Sequence, residues 1–394
     1  MITGALPAEA SIKATNVVQE KVMSGPNAET LLSGISTWVE IESQTADIAG
    51  VNRMMDRAAT GFRQAGARVE RLPGTNGTAD HLSISSPWGG DGPGVLVLCH
   101  LDTVHPKGTL EQLPFRVEGD RAFGPGIYDM KGGAYLAYAA YRSIVEAGKT
   151  TPLPIRFLYT SDEEIGSLES RAHIEAQARN AKYVLVTEPA RDGGKIVTAR
   201  KGVARFVIEI AGRPAHSGSR HADGRSAIVE MAHQILAIEG MTDYARGITL
   251  NIGMVNGGTA ANVIPAHCRA SIDLRIASVA DCDEIIARLK ALKPRNPDTT
   301  IKISGGLNRP PFEKNVGVER LYEHARGLAA ELGFDLVDTY TGGGSDANFT
   351  AHLVPTLDGL GVDGNGAHTL EEHLLVSSLV PRMQLQRRLF ETLN

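Results

Sequence analysis

The sequence predicts an α/β protein built on a mostly parallel mixed sheet flanked by helices, with a smaller α+β unit inserted into it. Three observations carry this reading. Between residues 94 and 187, β-type runs alternate with helical ones as βαβ units do. From about residue 202 the order becomes β, helix, β, β, helix, β, which is the order of a ferredoxin-like unit. From about residue 317 the α/β alternation resumes, and no low-complexity linker, charge block or internal repeat separates the parts.

Residues 27–66 read as two helices, because apolar positions recur at helical spacing in AETLLSGISTWVEI and VNRMMDRAATGFRQAG, the second stopping at Gly66. Short β-type runs follow at ARVERL, HLSISS and GVLVLC (94–99). The last is continuously apolar, as a strand buried on both faces requires. Beyond a turn-rich segment come a helix at 130–147, a strand at 154–160, a helix at 167–179 and a strand at 182–187. Ligands of parallel sheets collect beyond the carboxyl ends of strands, and His100, the run Asp162, Glu163, Glu164, and Glu188 each lie just past one. The inserted unit reads as VARFVIEIAG, SAIVEMAHQILAI, GITLNIGMVNG, RASIDLRIA, DCDEIIARLKAL and TTIKISG. The final part reads as a helix at 317–332, a strand at 335–339, a Gly-rich turn at 342–344, a strand at 354–358 and a terminal helix from about 374.

At 394 residues the chain exceeds the length at which a single core stops growing, so two domains are expected. A net charge of -5 leaves no basic excess, so neither nucleic acid nor a membrane surface is an expected partner, and small-molecule chemistry stays open. Cys99, Cys268 and Cys282 are too few and too scattered for a disulfide framework or a CxxC zinc site, which favours free thiols in a reducing compartment. The N-terminus has no basic start followed by an apolar stretch, and no run approaches ~20 apolar residues, so a cytoplasmic location is expected.

Five segments carry chemistry. In LCHLDTVHP, His100 sits at a strand end with Asp102 two residues on, a spacing that lets the carboxylate hold the imidazole in one tautomer while the ring binds metal; alone, the pair is equally a solvated loop. In GPGIYDMKGG, Asp129 precedes a helix among glycines that permit close backbone approach, and an N-cap role is the alternative. TSDEEIGS places three acids at the end of an apolar strand, where they repel unless a cation or a raised pKa relieves them. Glu163 and Glu164 point in different directions from an extended loop, so one can serve as general base and the other as metal ligand. Glu188 in VTEP and His373 in HTLEEH extend the theme. Imidazole and carboxylate donors without thiolates suit Zn²⁺, Co²⁺ or Mn²⁺, and five ligands exceed one tetrahedral ion with an open position. Two ions sharing a carboxylate, ~3.5–4 Å apart, acidify a water and polarise a carbonyl together.

HLDTVHP, FGPGIYDMKGG, TSDEEIGS, VTEP, RPAHSG, NVIPA and TGGGSDAN occur in the order and spacing of the M20 metallopeptidases, and the chain resembles the glutamate carboxypeptidase branch of that family. The resemblance implies His100 and Glu188 on one zinc, Glu164 and His373 on the other, Asp129 bridging, Asp102 behind His100, and Glu163 as general acid/base. Both His368 and His373 are available for the last position, and distance to the terminal helix favours His373. The resemblance also implies a catalytic domain of residues 1–200 and 311–394, and a lid of residues 201–310 that mediates dimerisation. From that lid His216 would reach the partner subunit's site and stabilise the oxyanion, with Asn262 assisting. Arg309 matches an arginine that holds the substrate carboxylate, Lys201 and Arg275 are weaker supports, and Gly343 belongs to the turn lying along the substrate.

The activity implied is amide hydrolysis of a peptide or N-acyl amino acid with a free carboxylate, by a homodimer carrying two Zn²⁺ per chain. Glu163 would deprotonate the attacking water, the zinc ions and His216 would hold the oxyanion, and Glu163 would return the proton to the leaving amine. A tripeptide aminopeptidase, a desuccinylase and an amidohydrolase of xenobiotic N-acyl amino acids are the alternatives within the class. A catalytically silent binding protein is the alternative outside it.

Overall fold

The computed structural model describes residues 25–394, so the stretch in which a leader was sought lies outside the described residues. A six-stranded sheet runs in the order Arg68–Leu72, His81–Ser85, Ile155–Thr160, Gly94–His100, Ala181–Val186, Thr356–Leu357. The first two pairings are antiparallel and the other three parallel, the mixed sheet the sequence predicts. Side-chain alternation along Gly94–His100 sends Val95, Val97 and Cys99 into one core and Leu96 and Leu98 into the other. The first core is closed by helices Ala28–Val39, Ile48–Gln64, Gly132–Glu146, Val316–Glu331 and Leu379–Thr392, and the second by Ser170–Arg179 together with Phe312 and Phe349. Burial on both faces explains why GVLVLC carries no polar alternation. Helix starts follow their caps: Asn27, Asp47, Ser226, Ser278 and Asn315 each accept a first-turn amide.

A separate antiparallel sheet runs Thr249–Gly257, His267–Ile276, Gly202–Ala211, Thr300–Arg309. Its core joins strand residues Phe206, Ile208, Ile272 and Leu274 to Met231 and Ile238 of helix Ala227–Glu239 and to Ile285 and Leu289 of helix Val279–Lys290, so both helices cover one face. Strand order and connections are those of a ferredoxin-like unit.

Two departures from the sequence reading matter for the site. The helix expected from 130 starts at Gly132, because Asp129 (φ -117°, ψ 96°) and Met130 are not helical and form a wide turn Ile127–Lys131 instead. The terminal helix starts at Leu379, not near 374, because His373–Leu375 pairs as a short strand with Arg121–Phe123. These two short strands, with Arg116–Glu118 and Gly364–Asn365, make a four-stranded antiparallel patch. Among the described residues, no helix is long and apolar enough to cross a membrane.

Candidate metal centre

His100 ends the central strand and is buried, its Nδ1 3.0 Å from the Asp102 carbonyl and 3.4 Å from Asp102 Oδ1. Its Nε2 faces Asp129 Oδ1 at 3.2 Å and Glu188 Oε1 at 3.8 Å. Asp102 also accepts Thr45 Oγ1 at 2.8 Å and the amides of Glu163 and Glu164 at 3.3 and 3.2 Å. One buried carboxylate thereby aims the imidazole and holds the acidic turn against it.

Asp129 turns its second oxygen the other way, Oδ2 lying 3.4 Å from His368 Nε2, which is itself 3.3 Å from Glu164 Oε2. Each oxygen of one carboxylate therefore faces a different histidine, giving half-sites His100–Glu188 and His368–Glu164 joined by Asp129. The ligand atoms of His100, Glu163 and Glu188 lie within 4.8 Å of one another, as do those of His100, Asp129 and Glu164. Such crowding needs close backbones: a Cβ on Gly133 would sit 2.1 Å from the Thr187 carbonyl, which no side chain permits. His368, half-exposed at the mouth, adopts φ 65°, a left-handed conformation that non-glycine residues seldom take and that clusters at functional sites.

The electrostatics describe a cluster short of positive charge. Burial pushes Glu163 up to about 8 against the pull of Arg309 and His100. Burial likewise raises Glu164, and with Asp129 and Glu163 beside it Glu188 rises well above the carboxylate range. Burial alone would lower His100, but hydrogen bonds to Asp102 and Asp129 carry it well above its ordinary value. Hydrogen bonds to Asp129 and Glu164 lift His368 to about 10. Asp129 moves down although burial opposes it, because both histidines bond to it. Protons on the imidazoles thus do what a divalent ion would do there. Glu164 Oε1, buried with no hydrogen-bond partner among the described residues, has a lone pair to spare for one. Oxygen and imidazole donors at this spacing fit Zn²⁺, Co²⁺ or Mn²⁺.

The structure brings His100, Asp102, Asp129, Glu163, Glu164 and Glu188 together, but not His373. That side chain stands on the short strand beside Phe123, ring centroids 5.3 Å apart, with Nδ1 on the Glu371 carbonyl at 2.8 Å. Strand pairing turns it away, and His368 occupies the place expected for it. Arg309 also departs from expectation. It is only 4% exposed, and its guanidinium is spent internally on Glu163 Oε1 (2.8 Å), Asp346 Oδ1 (2.9 Å) and Ser167 Oγ (2.9 Å). A substrate carboxylate could reach that fork only by displacing the candidate base.

Arg275, on the second sheet, is held by Asp273 at 2.6 Å and points Nη1 toward the Gly342 carbonyl at 3.5 Å, beside the exposed Gly343. Lys201 is half-buried near it, burial lowering its ammonium with help from Arg275. His216 and Asn262 lie exposed on two neighbouring loops, joined by the Ser217 amide to the Asn262 carbonyl at 3.0 Å, and neither touches the acidic cluster of its own chain. His216 Nδ1 accepts the amides of Gly218 and Ser219, both at 3.2 Å, which leaves the ring proton on Nε2.

Sequence reading passed over four participants. Asp346 and Ser167 brace Arg309, and Arg200, fully buried, bonds Asp358 at 2.7 Å and the Gly343 carbonyl at 3.1 Å. Glu372 accepts the amide of Asp129. Asp346, Ser167 and Glu372 lie inside TGGGSDAN, TSDEEIGS and HTLEEH, whereas Arg200 had no local signal.

The profile of peptidase family M20/M25/M40 matches residues 96–392. The chain is 31% identical over 362 residues to carboxypeptidase G2 of Pseudomonas sp. (strain RS-16), covering 90% of this chain and 87% of that protein. It is 27% identical over 342 residues to a succinyl-diaminopimelate desuccinylase of Cupriavidus taiwanensis, covering 80% and 88%. In fold it is similar to the crystal structure of aminopeptidase PepT from Bacillus cereus, with a TM-score of 0.77, 24% identity and coverage of 93% and 98%.

Proposed function

Since the chain belongs to peptidase family M20/M25/M40 and is a metal-dependent hydrolase, we propose that it cleaves the amide bond of a peptide or N-acyl amino acid bearing a free carboxylate, in the manner of a carboxypeptidase. The observation that carries this is Asp129, which offers one oxygen to His100 and the other to His368 with Glu163 alongside. His100 and Glu188 would hold one ion, His368 and Glu164 a second, with Asp129 shared; Zn²⁺ suits the donors, as do Co²⁺ and Mn²⁺. Such ions would supply polarisation of the scissile carbonyl and a lowered pKa of a water.

The rest falls to the chain's own groups. Glu163 takes a proton from water as its oxygen adds to the carbonyl carbon, then passes that proton to the nitrogen as the C–N bond breaks, leaving an acid and an amine. Burial raises Glu163 in the metal-free protein, which makes its carboxylate a stronger proton acceptor than an exposed one. Asp102 fixes the ring of His100, and Arg309 fixes the side chain of Glu163. Arg275, with Lys201 and the amide edge of Gly343, takes over the carboxylate contact first given to Arg309, because it is half-exposed where Arg309 is buried. His216, its proton on Nε2, and Asn262 would serve the oxyanion of the partner subunit in a homodimer, with the second sheet as lid and dimerisation domain. The 27% likeness to a desuccinylase favours a second reading, an N-succinyl amino acid as substrate.

Elemental analysis paired with a substrate panel tests the proposal. Two ions per chain, loss of turnover on chelation, and hydrolysis of N-acyl-glutamates, N-acyl-aspartates or dipeptides are expected. Turnover in a metal-free preparation, or a requirement for a free amino terminus with indifference to the carboxylate, would overturn it; preference for N-succinyl substrates selects the second reading.

A further inference from the structure

Glu372 is fully buried, four residues beyond His368, and its carboxylate accepts three backbone amides from a single distant turn. Oε2 accepts the amide of Gly126 at 3.0 Å, and Oε1 those of Tyr128 at 2.9 Å and Asp129 at 3.0 Å. His105, also buried, completes the set through Nε2 on Oε2. The Glu372 carbonyl returns to the same turn, accepting the Gly124 amide at 3.4 Å. Lys131, the nearby buried cation, gives its ammonium to the Ile41 carbonyl at 2.7 Å instead.

A buried carboxylate is tolerated only when its lone pairs are met, and here three backbone amides and one imidazole meet them. The arrangement has a geometric consequence. The turn that supplies the amides presents Asp129, and the segment that supplies the carboxylate presents His368. Neither loop is otherwise regular where it matters: Asp129 lies in the wide turn before a helix, and His368 in the loop between two short strands. We propose that Glu372 is a positioning residue that locks these two loops in register, setting the reach from Asp129 to His368 and thereby the spacing of the two ions. The inference rests on the two-ion reading of the site, and it concerns a residue that touches neither ion nor substrate.

Co²⁺ titration of the full-length metal-free protein, read by visible absorption, tests it. The wild type takes up two ions in resolvable steps. Glu372→Gln has the same shape but turns an amide NH₂ toward backbone N–H donors, so the step filling the His368 side should weaken at least about tenfold with an altered Co²⁺ band, as losses behind a metal ligand typically produce. Glu372→Ala should do more, and His105→Ala less. Urea unfolding of each metal-free variant runs alongside. Lowered stability with both Co²⁺ steps and the band unchanged overturns the proposal in favour of a purely architectural role, as does failure of both Glu372 variants to fold. A wild type that binds fewer than two ions refutes the two-ion reading itself, which the wild-type titration reveals before any variant is compared.

Discussion

Arg309→Met separates the role the sequence suggests for this arginine from the one the structure gives it. The guanidinium touches Glu163, Asp346 and Ser167, and the three charged side chains are 5%, 12% and 5% exposed for Arg309, Glu163 and Asp346. Methionine fills much of the volume but strands two buried acids. Removing one partner of a buried pair typically costs about 3–5 kcal/mol, and that range is the expected loss of folding stability. The loss depends on pH. Burial already pushes Glu163 up to about 8 in the metal-free protein against the pull of Arg309, so without Arg309 it moves further above its ordinary value of 4.5. A raised carboxyl binds its proton more tightly folded than unfolded, so its destabilising effect appears as pH climbs past the unfolded value and grows toward the folded one. The urea midpoint of the variant should therefore fall further below wild type at pH ~8.5 than at ~6.5. With the base misplaced, kcat/KM should drop by about 10²-fold, roughly 2.7 kcal/mol, on an N-acyl-glutamate and equally on its α-carboxamide. A loss confined to the free carboxylate, with the urea midpoint unmoved, would refute this reasoning and return Arg309 to the substrate.

Four further outcomes follow from the same geometry. Glu163→Gln should bind metal as wild type does yet lose about 10²–10⁴ in kcat, and near-normal turnover would move the base elsewhere. His368→Ala should lose one of two bound ions by elemental analysis while His373→Ala keeps both; the reverse pattern would restore His373 as ligand. Metal-free protein should melt at progressively lower temperature from pH ~6 to ~9 in calorimetry. The raised carboxyls Glu163, Glu164 and Glu188 lose their folded-state proton advantage above 4.5, and the raised imidazoles His100 and His368 lose theirs above 6.5, so both sets act in one direction and a rising melting temperature would contradict them. Mixing His216→Ala with Glu163→Gln chains should recover part of the activity, since one site of each hybrid regains both groups; verified heterodimers that stay inactive would mark each site as self-contained.

The site was legible in sequence wherever a strand end did the positioning. His100, Glu164 and Glu188 follow apolar runs whose period is unmistakable, and a parallel sheet sends all such ends to one edge. Legibility failed where distant segments decide. His373 looked like the last ligand because the terminal helix was expected from about 374, and three-residue strands such as Arg121–Phe123 and His373–Leu375 are too short to leave a period. Arg309 was read by its motif, but its fate is set by Glu163 and Asp346, which only the fold brings near. Glu372 stands in HTLEEH, but its role gave no signal because its partners are mostly backbone amides, which every residue but proline possesses.

The candidate ligands are gathered from positions as far apart in the chain as residue 100 and residue 368, on segments already joined by the pairing of His373–Leu375 with Arg121–Phe123 and by the hydrogen bonds of Glu372. In polymer terms, ions held there are cross-links closing very long loops, and closure entropy rises only logarithmically with loop length, so the span adds little to the cost of forming them. Because the unfolded chain has no such site, the free energy of ion capture adds to that of the native state as RT ln(1 + [L]/Kd). The segment bearing His368 then acts as a clasp on the first half of the chain. A protease cut in the loop at 366–371 should leave the fragments associated through the buried helix Leu379–Thr392, and chelation should lower the temperature at which they part.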